Sequence, residues 1–217
     1  MGTRTPGRRN WTAREIGRIK PFVFLLAAYP LGRWIWLAFS GGLGANPPEF
    51  LIRSTGIWTL VLLLATLAVT PLRRMIGQPA LVRVRRMLGL YSFFYAALHV
   101  AGWALWETGP SPALMWDDVV QRTFVMVGVG AFLPMSALAL TSTHGWMRRL
   151  GPLWQKLHRS VYAVGALSVW HFWLVRAGKN DFFEPYVYGL VLTLLLAWRL
   201  VFFLRSRMPG PGPASVL

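Results

Sequence analysis

Six stretches of this chain stay apolar for close to the length a helix needs to cross a bilayer, and that feature decides most of what the chain can fold into. They lie at 21–40, 54–71, 87–106, 119–142, 157–175 and 186–204. Hydrocarbon offers no partner to a backbone N–H or C=O, and about 20 helical residues span its thickness, so each run must bond to itself as a helix. The segments between them are polar, charged or rich in glycine and proline, as connectors should be. With 55% of its residues hydrophobic and 14% charged, the chain carries too little charge to cover a soluble surface. The expected fold class is all-α. It is a polytopic membrane protein with a six-helix transmembrane bundle at 21–204, a basic N-terminal segment at 1–20 and a disordered tail at 205–217. Small residues around Ser40 resemble a signal-peptide cleavage site, but the first run is longer than a signal core and more spans follow, so an uncleaved first helix is expected.

A net charge of +16 would point to nucleic acid if it lay on a soluble surface. Its distribution says otherwise. Arg4, Arg8, Arg9, Arg14, Arg18, Lys20, Arg73, Arg74, Arg83, Arg85, Arg86, Arg148, Arg149, Lys156, Arg159, Arg199, Arg205 and Arg207 fall on one side of the alternating runs. Only Arg33, Arg53, Arg122, Arg176 and Lys179 fall on the other, with the acids Glu49, Glu107, Asp117, Asp118, Asp181 and Glu184. This is the positive-inside pattern: both termini are expected in the cytoplasm, and the arginines meet anionic headgroups rather than nucleic acid.

The chain has no cysteine, which removes disulfides, iron–sulfur clusters and thiolate-ligated haem. Three of its four histidines, His99, His158 and His171, lie inside or at the ends of apolar runs, where an imidazole is costly and is a candidate site residue. The third and fifth helices run in the same direction, so His99 and His171 sit at matched depth toward the outer side. That placement suits the two axial ligands of one b-type haem. His158 precedes His171 by thirteen residues, roughly 20 Å along a helix and about 140° around it, so the two neither share an iron nor need share a face. His158 would serve a second haem nearer the cytoplasm, where Arg86 rather than a histidine stands opposite. Arg83, Arg85, Arg86 and Arg159 either pair with haem propionates or a flavin phosphate, or simply set topology. Tyr95 and Tyr162 could add hydrogen bonds behind His99 and His158, or merely be buried. Gly102, Gly128, Gly130 and Gly165 either let a flat macrocycle approach or pack helices. His144 reads as a solvated connector residue.

Neither a dinucleotide fingerprint nor a P-loop is present, nor a set of residues for nucleophilic catalysis, so no catalytic residues are assigned and electrons must arrive from a membrane carrier or another protein. Two other readings remain open: a stand-alone ferric or cupric reductase, and a small transporter using its membrane histidines. Transport favours repeated halves, and no sequence repeat of fixed period is evident.

An ordered series of motifs carries a resemblance. It runs Leu43-Gly-Ala-Asn-Pro47, Gly56 and Trp58, Thr70-Pro-Leu-Arg-Arg74, Arg85-Arg-Met-Leu-Gly-Leu-Tyr91, and Tyr95-Ala-Ala-Leu-His99. It continues with Leu138-Ala-Leu-Thr-Ser142, Trp154-Gln-Lys-Leu-His-Arg159 with Tyr162, and His171-Phe172. Over about residues 40–185 the chain resembles the MsrQ family, haem-binding membrane subunits within the ferric-reductase-like transmembrane superfamily. The resemblance implies a bacterial inner-membrane protein carrying one haem b, with room for a second, and FMN. The haem ligands map onto His99, His158 and His171. It also implies an electron-transfer subunit rather than the catalytic one: electrons pass from the quinone pool or a cytoplasmic flavin reductase to a periplasmic molybdopterin methionine-sulfoxide reductase. The fourth histidine of ferric reductases is replaced here by Arg86, and no flavin–nicotinamide domain is recognised.

Overall fold

The computed structural model describes residue 11 and residues 13–206, and all regular structure in that part is helical. The basic residues Arg4, Arg8 and Arg9, and the tail from 207, lie outside the described residues. Of the tail expected from 205, Arg205 still belongs to the last helix and Ser206 to the turn after it.

Nine α-helices follow in order among the described residues: α1 (Ala13–Phe39), α2 (Pro47–Met75), α3 (Val82–Gly102), α4 (Pro112–Gln121), α5 (Thr123–Leu140), α6 (His144–Leu150), α7 (Pro152–His158), α8 (Val161–Ala177) and α9 (Phe183–Arg205). A 3₁₀ turn, Pro79–Leu81, leads into α3, and a π-helical turn, Trp103–Glu107, ends it. Among the described residues, five stretches are long and apolar enough to cross a membrane: Gly17–Phe39, Pro47–Met75, Pro79–Glu107, Thr123–Leu140 and Phe183–Arg205. The run at 157–175 is carried mainly by α8, whose 17 residues reach roughly 25 Å. The protein is therefore a multi-pass membrane protein. Its exposed large apolar side chains, such as Phe22, Trp36 and Phe39 on α1 and Leu190, Leu194 and Phe203 on α9, would form an untenable patch in water and are the natural coat of a bundle in lipid.

Helix starts follow from capping chemistry. Asn46 accepts from the Glu49 N–H at 3.3 Å, and Pro47 and Pro48 fill positions that need no donor. The same chemistry makes helices inside segments expected to be plain connectors. Ser111 caps α4 ahead of Pro112, Thr143 caps α6, and Gly151, at φ +50°, turns the chain into α7 at Pro152. Serine–proline and glycine–proline read as loop punctuation in a sequence, whereas here they open helices.

Two hairpins form the heart of the bundle, α2 against α3 and α5 against α8, with α9 closing one side and α1 the other. Leu60, Leu63, Leu64, Leu67, Ala96, Met135, Val161, Val164 and Leu192 make the shared core. A second cluster, Ala27, Trp34, Leu62 and Tyr95, attaches α1. There the Tyr95 hydroxyl donates to the Ala27 carbonyl at 2.7 Å, and the Trp34 indole N–H donates to Ser54 Oγ at 2.9 Å.

Candidate cofactor site

Between the two hairpins lies a cavity of about 380 Å³, walled by apolar side chains such as Leu60, Ala96, Phe132 and Met135. His99 from α3 and His171 from α8 face each other across it, ring centroids 6.0 Å apart and ring planes at 80°. One device holds both. His99 Nδ1–H donates to the Ile52 carbonyl at 2.8 Å, and His171 Nδ1–H donates to the Phe124 carbonyl at 2.7 Å. A carbonyl oxygen can only accept, so the proton sits on Nδ1 and each neutral ring keeps its lone pair on Nε2.

Four residues beyond each carbonyl stands a glycine. A Cβ on Gly56 would lie 3.1 Å from Nδ1 and Cε1 of His99, and one on Gly128 would lie 2.9 Å from the same atoms of His171. Helical side chains lean back over the preceding turn, so any other residue here would cover the carbonyl that the imidazole must reach. Gly128 thus makes room for a histidine, and it also lines the cavity. Of the other glycines singled out from the sequence, Gly102 packs on Ile52 and Trp106, Gly165 packs on Leu192, and Gly130 faces open space.

A repeat invisible to a scan for sequence period emerges from these contacts. One shift of 72 positions carries Ile52 to Phe124, Gly56 to Gly128 and His99 to His171, superposing the roles of the α2–α3 hairpin on those of α5–α8. The same shift carries Arg86 to His158.

Two imidazoles alone cannot complete a metal's coordination, and no three His, Asp or Glu side chains gather to hold a bare ion among the described residues. A metal that brings its own equatorial ligands fits. The two imidazoles would be the protein's ligands to such a group, and their ring centroids, 6.0 Å apart, leave room for an iron between them. The cavity mouth is polar. Glu49 pairs with Lys179 at 3.3 Å and with Arg53 at 3.5 Å, joining the start of α2 to the segment after α8. Asp118 takes Arg122 Nε at 2.8 Å and the Trp103 indole N–H at 2.8 Å. Arg176 pairs with Asp181 at 3.1 Å and with Glu184.

His158 stands apart from this cavity. It ends α7, donates from Nδ1 to the Trp154 carbonyl at 3.1 Å, and stacks on the Trp154 ring with centroids 3.8 Å apart; its Nε2 is buried without a partner. Because the chain breaks between α7 and α8 at Arg159 and Ser160, the helical-wheel angle between His158 and His171 does not apply. Arg86 and Arg159 are exposed; Arg85 is the arginine turned inward beside Arg86. Neither tyrosine backs a histidine: Tyr95 reaches α1, and Tyr162 accepts from Arg199. His144 is exposed at the start of α6, as expected.

Residues 55–169 match the family model described as ferric reductase like transmembrane component, and the helical bundle with its facing imidazoles defines a protein of that class. Over 196 residues the chain is 57% identical to the protein-methionine-sulfoxide reductase heme-binding subunit MsrQ of Bordetella pertussis, covering 90% of this chain and 95% of that protein. It is 48% identical over 198 residues to the MsrQ subunit of Ralstonia nicotianae, covering 91% of each, and 41% identical over 195 residues to that of Polaromonas naphthalenivorans, covering 89% and 88%. The chain belongs to the MsrQ family. No solved structure matches it.

Proposed function

We propose that this protein is a transmembrane b-type cytochrome. It relays electrons from the respiratory quinone pool, or from a cytoplasmic flavin reductase, to a periplasmic molybdopterin methionine-sulfoxide reductase that repairs oxidised proteins. The observation that carries the reading is the facing pair His99 and His171, with both Nε2 lone pairs available and both Nδ1 protons fixed on backbone carbonyls. Bound haem supplies the one-electron chemistry; the protein supplies ligands, orientation and a water-poor surround. The Ile52 and Phe124 carbonyls hold the rings in one tautomer and raise their basicity as ligands. The apolar walls exclude water, and Arg53, Arg122 and Lys179 at the mouth stand where haem carboxylates would meet cations.

His99 lies three residues from the end of α3 and His171 six from the end of α8, so the site is toward the acid-bearing end. In the positive-inside orientation that end is periplasmic and both termini are cytoplasmic in the inner membrane. His158, with its free Nε2, would ligate a second haem nearer the cytoplasm, and FMN belongs to the same electron path as an inward-side cofactor. Arg86 and Arg159, exposed at that end, would approach such groups from the membrane surface.

Purification after haem-sufficient expression tests this. A low-spin Soret and α-band spectrum is expected, reducible by quinol and reoxidised by the periplasmic reductase. His99→Ala and His171→Ala should each lose most of the low-spin signal, while His144→Ala keeps it. A full low-spin spectrum in His171→Ala would overturn the ligand pair. Reoxidation by ferric chelate but not by the reductase would favour a stand-alone metal reductase.

A further inference from the structure

The end of the bundle away from the imidazole pair collects buried polar atoms that have no partner among the described residues. Five buried side-chain nitrogen or oxygen atoms lack a partner among the described residues, and four of them lie here: Arg73 Nε, His158 Nε2, Ser160 Oγ and Arg199 Nε. They come from the end of α2, the α7–α8 junction and α9. Arg85, in the first turn of α3, is half-buried and within electrostatic reach of Arg73, Arg199 and Tyr162, and His158 is within reach of Arg85. Arg85 on α3 therefore lies within electrostatic reach of an arginine on α2 and another on α9, and no described carboxylate pairs with any of them.

Topology explains arginines that face headgroups, as exposed Arg83 and Arg86 do. It does not explain Arg73 and Arg199, whose Nε atoms are buried without a partner, near a half-buried Arg85, because like charges in a poorly solvated site repel. Arg199 has a structural role, since its Nη2 donates to the Leu67 carbonyl at 3.0 Å and its Nη1 donates to the Tyr162 hydroxyl. Neither the Arg73 nor the Arg85 side chain makes a comparable bond among the described residues. Buried cations are kept when an anion is present, and guanidinium forks match the several oxygens of a phosphate better than any single acceptor.

We infer that Arg73, Arg85 and Arg199, with the hydroxyls of Ser160 and Tyr162, form a binding site for a phosphate group at the basic end of the bundle. The site is independent of the haem between His99 and His171. Its phosphate comes either from a mononucleotide-type cofactor or from an anionic phospholipid headgroup.

The test uses the full-length protein purified in detergent. Inorganic phosphate, riboflavin 5′-phosphate and unphosphorylated riboflavin are titrated calorimetrically, and native mass spectrometry reads retained phosphatidylglycerol. The wild type should bind or retain a phosphate-bearing probe. Arg85→Gln and Arg73→Gln should each weaken that binding by at least about tenfold, the loss of one charge-assisted contact, while Arg83→Gln matches the wild type. Binding of riboflavin 5′-phosphate without binding of riboflavin assigns the source to a cofactor. Retained phosphatidylglycerol lost in the variants assigns it to lipid. If Arg85→Gln fails to fold by tryptophan-fluorescence melting, Arg85→Lys and Arg73→Gln carry the comparison. Equal binding by the wild type and both arginine variants, or no binding of any phosphate-bearing probe, overturns the site. The low-spin haem spectrum, unchanged in these variants, keeps the result separate from the fate of the haem reading.

Discussion

At the scale of single residues, the site turns on two glycines more sharply than on anything except the histidines themselves. A methyl group at Gly128 would meet the His171 ring at 2.9 Å, and one at Gly56 would meet the His99 ring at 3.1 Å, the first inside the range where something must move. Each ring sits between a backbone carbonyl and the cavity, so it can move only by lengthening its Nδ1 hydrogen bond or swinging Nε2 off the metal axis. Gly128→Ala should therefore lose more of the low-spin haem signal than Gly56→Ala, and both more than Gly130→Ala, whose added methyl meets open space. Spectra of the three purified variants check the order; an undiminished signal in Gly128→Ala would show that the glycine serves packing alone. The histidine pair is legible in the sequence because two costly side chains fall at equal depth on helices of like direction. Its carbonyl partners are not, since a backbone acceptor leaves no mark on residue identity. Gly56 looks like one more transmembrane glycine, although its distance to Gly128 equals that from His99 to His171. Tyr95 reads as backing His99 because four residues make neighbours on a helix, but its hydroxyl is claimed by Ala27 on another element.

At the scale of helices, proline and arginine explain each other. Pro71 lies inside α2 and has no N–H to give the carbonyl of Leu67, four residues earlier. Leu67 is fully buried, so water cannot serve that carbonyl; the Arg199 guanidinium does, at 3.0 Å. An unsatisfied buried carbonyl costs about 1–3 kcal/mol. Arg199→Leu should destabilise the wild type by roughly that amount, and by clearly less in a Pro71→Ala background, where α2 can supply its own donor. Thermal or denaturant melts of the four proteins in the cycle measure the coupling; additive effects would mean that Arg199 does not stabilise through Leu67. The long spans are readable because a bilayer demands continuous apolarity. The short helices α4, α6 and α7 are not, because their caps, Ser111, Thr143 and Gly151, belong to the same residue types that make loops. The break at Arg159–Ser160 hides for a related reason: the 157–175 run stays apolar across it, and apolarity says nothing about a kink.

At the scale of the molecule, the two hairpins act as similar halves that bring one histidine each to a common gap. The repeat stays hidden in the sequence because the shared device needs identity only at the histidine and the glycine, its carbonyls come from different residues (Ile52 and Phe124), and the lipid-facing residues need only be apolar. This arrangement places the imidazole pair near one end of the bundle and the arginine cluster near the other, so the proposed relay depends on which end faces outward. Among the described residues, the end near the imidazole pair carries Glu49, Glu107, Asp118, Asp181 and Glu184, and the other end carries Arg73, Arg74, Arg85, Arg148 and Arg149. Positively charged connectors resist translocation far more than acidic ones favour it, so the arginine end should stay inside. A fluorescent protein fused after Leu217 should then fluoresce, and alkaline phosphatase fused there should be inactive. Phosphatase inserted at Gly109, in the turn between α3 and α4, should be active. The reverse pattern would put the imidazole pair beside the cytoplasm, and an electron received there could not reach a periplasmic acceptor without recrossing the bilayer.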